Sequence, residues 1–257
     1  MSTEFWIFLL VGFGAQIVDG ALGMAYGVVS TTALLSMGVS PAAASASVHA
    51  AKVFTGAASA ASHVAHKNVD WKLLTLLSIG GVIGGVAGTY LITSVDGKLI
   101  RPWVIGWLFL MGLIILYRAW KSARPRALPV HGPAPLGLIG GFFDAIGGGG
   151  WGPIVTSTLL SSGADVRKAI GTTNTAEMFV AIAVSTSFIA ALLTGHWKNT
   201  EMADHLWPVL GLIVGGVIAA PVAGWVTKVM PLKLLTWMVG FLVTGLAVWQ
   251  GLQLVLK

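Results

Sequence analysis

The chain has 257 residues, of which 56% are hydrophobic, and it carries 15 Lys+Arg against 9 Asp+Glu for a formal net charge of +6. Charged residues make up 9% of it, where a soluble domain carries about 25%. That is too little to cover a water-facing surface and excludes an ordinary soluble enzyme. The mean hydropathy of +0.86 and apolar stretches beyond the roughly 20 residues that cross a bilayer point to an all-α polytopic membrane protein, and the short polar/apolar alternation of a β-barrel is absent. With no cysteine, disulfides, iron–sulfur clusters and thiol nucleophiles drop out. The basic balance reports membrane orientation rather than nucleic-acid binding.

In chain order, Met1-Ser-Thr-Glu4 lacks a basic n-region, so the first apolar stretch is expected to be retained. Apolar segments run over 5–37, 42–65, 73–93, 103–120, 136–162, 169–194, 206–226 and 232–256. Six of them have the length of a single span, about 18–26 residues. The first and fifth are too long for one helix and are interrupted at Val18-Asp-Gly-Ala-Leu-Gly-Met-Ala-Tyr-Gly27 and Phe143-Asp-Ala-Ile-Gly-Gly-Gly-Gly-Trp-Gly-Pro153. Each glycine costs about 1 kcal/mol against alanine in a helix interior, so these runs predict breaks.

The halves repeat. An offset of 125 aligns 12–56 with 137–181 without a gap, with 12 of 45 positions identical, among them Asp19/Asp144, Gly23/Gly148, Gly27/Gly152 and Thr31/Thr156. Further on, Gly80-Gly-Val-Ile83 echoes Gly215-Gly-Val-Ile218. The expected organisation is a first repeat over 1–121, a cytoplasmic linker over 122–135 rich in proline, and a second repeat over 136–257. Paired glycine-broken segments in two halves point to a transporter binding site. The stripe Gly80-Gly81-Gly84-Gly85-Gly88 reads instead as close helix packing.

Charge counting tests how the broken segments run. If each is a re-entrant hairpin, ten Lys/Arg lie on the side of the linker and four on the other; if each crosses once, the split is eight to six. The positive-inside rule favours hairpins. Each half then holds a broken helical hairpin followed by three transmembrane helices, and two such odd halves are inverted.

At a hairpin tip a half-helix begins near mid-membrane, and helix N-termini offer N–H groups and partial positive charge to an anion. Gly23, Tyr26, Gly27, Gly148, Gly149, Gly150, Trp151 and Gly152 are therefore expected to line an anion site, with hydroxyls from Thr31 and Thr156. Asp19 and Asp144 fit two roles, capping the exposed amides or carrying protons. On the next helices the repeat matches Ser47 to Thr172, His49 to Asn174 and Lys52 to Glu177. His49 and Lys52 share a helix face, as do Asn174 and Glu177. Ionisable groups inside a membrane are costly and usually functional. An internal Lys52–Glu177 pair is expected, either a structural salt bridge or a device in which Lys52 or His49 attracts an anion while Glu177 or His49 carries a proton. His63, His66, His196 and His205 lack metal-ligand spacing, and Trp71, Trp103, Trp197 and Trp207 fit aromatic belts. No metal or cofactor is expected.

At these residues the sequence resembles the TauE/SafE family of sulfite and organosulfonate exporters. The resemblance is carried by Asp144-Ala-Ile-Gly-Gly-Gly-Gly-Trp-Gly-Pro153, Ile170-Gly-Thr-Thr173, Asn68-Val-Asp-Trp71 and the duplicated layout of nearly the whole chain. The first half departs from the family pattern: Ala21-Leu-Gly-Met-Ala-Tyr stands for a glycine run, and Ala46-Ser-Val-His49 for a Gly-Thr-Ser string. The resemblance implies three-span modules repeated twice in the bacterial inner membrane and export of sulfite, sulfoacetate or a related anion. The expected function is thus a secondary transporter, not an enzyme. It would export a small oxyanion by alternating access, coupled to the proton gradient, with the small anion and the lipid bilayer as partners, no nucleic acid, and homo-oligomerisation left open. Rival readings are an anion channel, an uptake carrier for another small anion, and an intramembrane hydrolase using Ser47 or Ser59 with His49 or His63.

Overall fold

The computed structural model describes residues 3–120, 132–162, 164–197, 206–229 and 232–256. Most of the 122–135 linker, with Lys121, Arg124 and Arg126, lies outside the described residues, as do Lys198, His205 and Lys257. All regular structure among the described residues is helical. The first half holds α1 (Thr3–Leu22), α2 (Tyr26–Ser36), α3 (Pro41–Ala65), α4 (Trp71–Ser94) and α5 (Gly97–Trp120). The second holds α6 (Pro133–Gly147), a π-helical turn (Gly152–Thr156) running into α7 (Ser157–Ser161), α8 (Val166–Leu193), α9 (Leu206–Val229) and α10 (Leu232–Val255).

The breaks fall where the glycines predict them. Gly23 takes φ +66° and Gly148 φ +62°, conformations glycine adopts at little steric cost. Ala25 holds φ 126°, which for a residue with a Cβ costs on the order of 1–3 kcal/mol. It stands in the stretch where the second half has its run of glycines. Elsewhere helix starts are set by side chains: Asp70 accepts from Lys72 N and Leu73 N, both at 3.1 Å, and Asp165 from Lys168 N at 2.9 Å.

Packing follows the repeat. α1 packs chiefly on α9 and α6 on α4, while α3 pairs with α8 and α5 with α10. Exchanging the halves (α1 for α6, α4 for α9) maps this set of pairs onto itself. Glycines make the two equivalent seams: Gly80, Gly84 and Gly88 of α4 lie on the backbone of α6 at Ala134, Leu138 and Phe142, and Gly211 and Gly215 of α9 lie on α1 at Phe5 and Leu9. A Cβ at any of these would strike a carbonyl, so small residues set the interaxial distance.

The molecule is polar within and apolar without. Asp19, His49, Lys52 and Asp144 are buried, while Ile79, Ile83, Phe241 and Leu252 are exposed, the pattern of a multi-pass membrane protein. Five helices among the described residues are long and apolar enough to cross a bilayer: Thr3–Gly20, Trp71–Ser94, Gly97–Trp120, Arg167–Leu193 and Thr236–Val255. α3 has 25 residues but its Ser, His and Lys keep it out of that set, and its first half is buried in the interior. Trp71, Trp103 and Trp207 are exposed. Trp197, expected in an aromatic belt, is buried against Phe188, ring centroids 5.3 Å apart.

Candidate functional site

The two helix breaks meet. A Cβ on Gly27 would lie 2.8 Å from Gly149 Cα, and one on Gly152 would lie 2.6 Å from Met24 Cα. The backbones therefore abut at the place expected for the anion cradle. The tip amides are engaged as well. Asp19 Oδ1 accepts from Tyr26 N at 3.2 Å, and Asp144 Oδ1 accepts from Gly150 N at 2.8 Å and Trp151 N at 3.2 Å. The protein's own carboxylates occupy the positive ends of the half-helices, so capping is one role both aspartates fill.

Beside this contact lies an ionic centre. Lys52, eleven residues into α3 from Pro41, is buried, and its Nζ would be 2.8 Å from a Cβ on Gly27. It donates to Asp144 Oδ1 and Oδ2, both at 3.0 Å, and lies 2.7 Å from Glu177 Oε1. His49 Nε2 lies 3.1 Å from Asp144 Oδ2 and its Nδ1 lies 2.8 Å from Ser45 O. Ser45 Oγ lies 3.3 Å from the same Nδ1. Ser45 Oγ donates to Ala145 O at 2.5 Å, tying α3 to α6 one turn below. Such a network is stable only if every member is paired.

Lys52 also borders a cavity of about 20 Å³ whose lining includes Asp19, Tyr26, Glu177, Asn174, Gln16, Thr55 and Ser59. That is room for a single water-sized guest. Helices broken near charged groups inside the bundle are also a feature of transporter binding sites in general. The family model described as Sulfite exporter TauE/SafE matches residues 8–250. The chain belongs to the TauE/SafE family. The "Probable membrane transporter protein YtnM" of Bacillus subtilis (strain 168) is 40% identical over 241 residues, covering 91% of this chain and 78% of that one. No solved structure matches the chain. The protein is therefore a membrane transporter of the TauE/SafE type.

The remaining expected site residues divide into two groups in this TauE/SafE protein. Gly23, Gly27, Gly148, Gly149, Gly150 and Gly152 form the abutting breaks, and Thr31 Oγ1 rests against Gly148. Thr31 Oγ1 and Asn174 Oδ1 are buried with no hydrogen-bond partner among the described residues. Others are absorbed by packing. Thr156 Oγ1 is 3.0 Å from both Gly23 O and Thr173 Oγ1, and Thr172 Oγ1 accepts from Asp70 N at 2.9 Å, tying α8 to the start of α4. Trp151, expected at the cavity wall, is fully buried beside Gly81, with Nε1 donating to Thr173 O at 3.0 Å. Its repeat partner Tyr26 lies beside Gly216 and donates to Leu212 O at 3.0 Å. The two aromatics are matched wedges, each set on a glycine of the opposite half. His49 contacts Ser45 rather than Ser47, and Ser59 lies 3.5 Å from Asn174 Nδ2.

The sequence reading missed the Lys52–Asp144 and His49–Asp144 pairs and the cavity groups Gln16, Thr55 and Ser59. Helical spacing held a signal for the last three. Ser45, His49, Lys52, Thr55 and Ser59 recur at three- and four-residue steps along one face of α3, and Gln16 sits one turn before Asp19.

Proposed function

We propose that the protein exports a small oxyanion, sulfite or a short organosulfonate such as sulfoacetate, across the bacterial inner membrane, by alternating access about two opposed re-entrant tips and at the expense of the proton gradient. The observation that carries this reading is Lys52. It is a buried ammonium at the meeting of the two breaks, held by a carboxylate on α6 and another on α8. An entering oxyanion competes with Asp144 and Glu177 for that ammonium. Once Asp144 is drawn from Lys52, its hold on the Gly150 and Trp151 amides loosens, and the tips are free to part. His49, Thr31, Asn174 and the tip glycines are then the neighbouring donors to the anion, and Asp19, Asp144 and Glu177 the carboxyl groups that exchange protons with either side.

Contacts at the helix ends support the inverted, re-entrant arrangement of 1–121 and 136–257 about the 122–135 linker. α1 begins beside the start of α9, with Phe5 and Trp207 ring centroids 6.3 Å apart. α2 ends beside the start of α5 and the end of α10, through Arg101 Nη2 to Leu35 O at 2.8 Å and Gln250 Nε2 to Ser36 Oγ at 3.1 Å. The end of α8 meets the end of α4 through His196 and Ser94 at 2.9 Å. These contacts gather the outer ends of α1 and α2 at one end of the bundle. α6 and α7 lead from and to the opposite end, where Asp70 meets Thr172 and where Lys67, Lys72, Arg118, Arg167 and Lys168 belong in the chain order. The positive-inside rule makes that end cytoplasmic.

The contact of Gly27 with Gly149 favours a carrier over a channel, since a pore needs a continuous opening. Radiolabelled sulfite and sulfoacetate flux in proteoliposomes tests the reading. Saturable flux with counterflow is expected, and Lys52→Met should lower it by about a hundredfold, as loss of a buried charged partner does. Normal flux in Lys52→Met would remove the assignment, and unsaturable flux without counterflow would return the channel.

A further inference from the structure

The cavity beside Lys52 has a chemistry of its own, distinct from that of the ammonium. Three carboxyl groups, Asp19, Asp144 and Glu177, converge within the helices, the first two buried and the third with a side chain 14% exposed. Against them stand Lys52 and His49. Even with both basic groups charged, the centre is one positive charge short of neutrality, and an uncompensated charge inside a membrane protein is strongly unfavourable.

Asp144 is not where that charge goes. Its two oxygens already accept from Lys52, His49, Gly150 and Trp151. Asp19 accepts only from Tyr26 N among the described residues, and Glu177 only from Lys52. Both border the cavity. Independently of these acids, Asn174 lines the same cavity, is 3% exposed, and leaves Oδ1 without a partner among the described residues. An orphaned buried acceptor beside two carboxylates calls for a positive guest. The volume of about 20 Å³ admits one dehydrated ion or one water.

We propose that this cavity is the coupling-ion site and takes one monovalent cation, a sodium ion or a proton, between Asp19 and Glu177, with Asn174, Gln16 and Ser59 supplying neutral oxygens. The proposal rests on the transporter reading above and deepens it: the coupling charge binds on the Asp19 side, and Asp144 stays paired with Lys52 until the anion displaces it. The charged and titratable groups lining the site are Asp19 from α1, Tyr26 from α2, Lys52 from α3 and Glu177 from α8, with Asp144 from α6 paired to Lys52 and His49 from α3 paired to Asp144. α9, beneath Tyr26, brings no charged side chain there among the described residues.

The test uses the full chain, purified and reconstituted, in two assays. In the first, melting is followed in sodium chloride against choline chloride at fixed pH, and again across pH in choline. A guest that binds only the folded protein raises the melting temperature by mass action. In the second, gradient-driven sulfite accumulation is divided by sulfite counterflow. A sodium-specific rise in melting, or a pH dependence of melting that Glu177→Gln abolishes, is expected and identifies the ion. The double variant Gln16→Leu with Ser59→Ala should lower the ratio of accumulation to counterflow by about tenfold, the usual size of a coupling effect. Melting indifferent to sodium, together with a pH dependence unchanged in Glu177→Gln, overturns the cation site. Absence of counterflow in the unmodified protein would instead sink the anion reading, and the melting assay would still decide the cation site.

Discussion

Asp19 and Asp144 occupy the same position in the two repeats, and both cap a half-helix, yet their surroundings differ. Asp144 faces Lys52 and His49 across the interface between halves. Asp19 faces the residues that replaced them, Glu177 and Asn174, across a small cavity. The backbone device of glycine break, aspartate cap and aromatic wedge on an opposing glycine is shared. The charge is not shared, because the duplicated α3 and α8 diverged at two positions one helical turn apart. One half became a locked ion pair and the other an acid-lined space. Duplication supplies the scaffold of two crossing tips, and divergence on the helices behind them makes the two sides do different work.

The sharpest way to break this comparison is to remove the charge from each aspartate in turn. Asn in place of Asp keeps an oxygen to cap the tip amides, so what is lost is the ionic part alone. Asp144→Asn leaves Lys52 with Glu177 only and removes an acceptor from His49. Breaking one side of a buried pair costs about 3–5 kcal/mol, and the melting temperature of the detergent-solubilised protein should fall steeply. Asp19→Asn should cost no more than about 1 kcal/mol, since the cap to Tyr26 survives. Equal losses in the two variants would mean that the aspartates are equivalent and the asymmetry has no energetic content.

How far the sequence reveals this centre depends on what each contact requires. The breaks are legible because glycine and aspartate act locally, and the repeat register alone matches Lys52 to Glu177, which lie 2.7 Å apart. The Lys52–Asp144 pair spans 92 residues and joins a helix of one half to the break of the other. An offset between repeats says which residues correspond, not which residues face each other. The same limit hid the abutting tips. Free amides at a helix start suggest an anion site, but only three-dimensional packing tells whether an outside anion or an internal aspartate fills it. The packing of Trp151 was hidden for a related reason: an aromatic beside a glycine run suits a cavity wall as well as a wedge, and Gly81, the glycine it packs on, lies 70 residues away by number.

The tips themselves should prove alike where the aspartates do not. A Cβ on Gly27 would meet Gly149 Cα and Lys52 Nζ, each at 2.8 Å, and one on Gly149 would meet Val28 Cα at 2.7 Å. Overpacking of this kind costs about 1–3 kcal/mol. Gly27→Ala and Gly149→Ala should therefore lower the melting temperature to similar extents and slow counterflow together. A variant that melts normally would show that the tips are not held in contact in the membrane.

The smallest expected effect separates the paired threonines on the half-helices. Thr156 Oγ1 bridges Gly23 O and Thr173 Oγ1 at 3.0 Å each, so Thr156→Val leaves a carbonyl of the opposite break unpaired, at a cost of about 1–2 kcal/mol. Thr31 Oγ1, at the matching position, is buried without a partner among the described residues. Thr31→Val, which keeps the shape and removes an unsatisfied hydroxyl, should leave melting unchanged or raise stability by up to about 1 kcal/mol. If that hydroxyl is kept for the anion, the same variant should weaken sulfite counterflow while the protein becomes no less stable. A Thr31→Val protein with unaltered stability and unaltered anion affinity would leave the orphaned hydroxyl without a task in transport, and would leave the anion's contacts to Lys52, His49, Asn174 and the tip glycines.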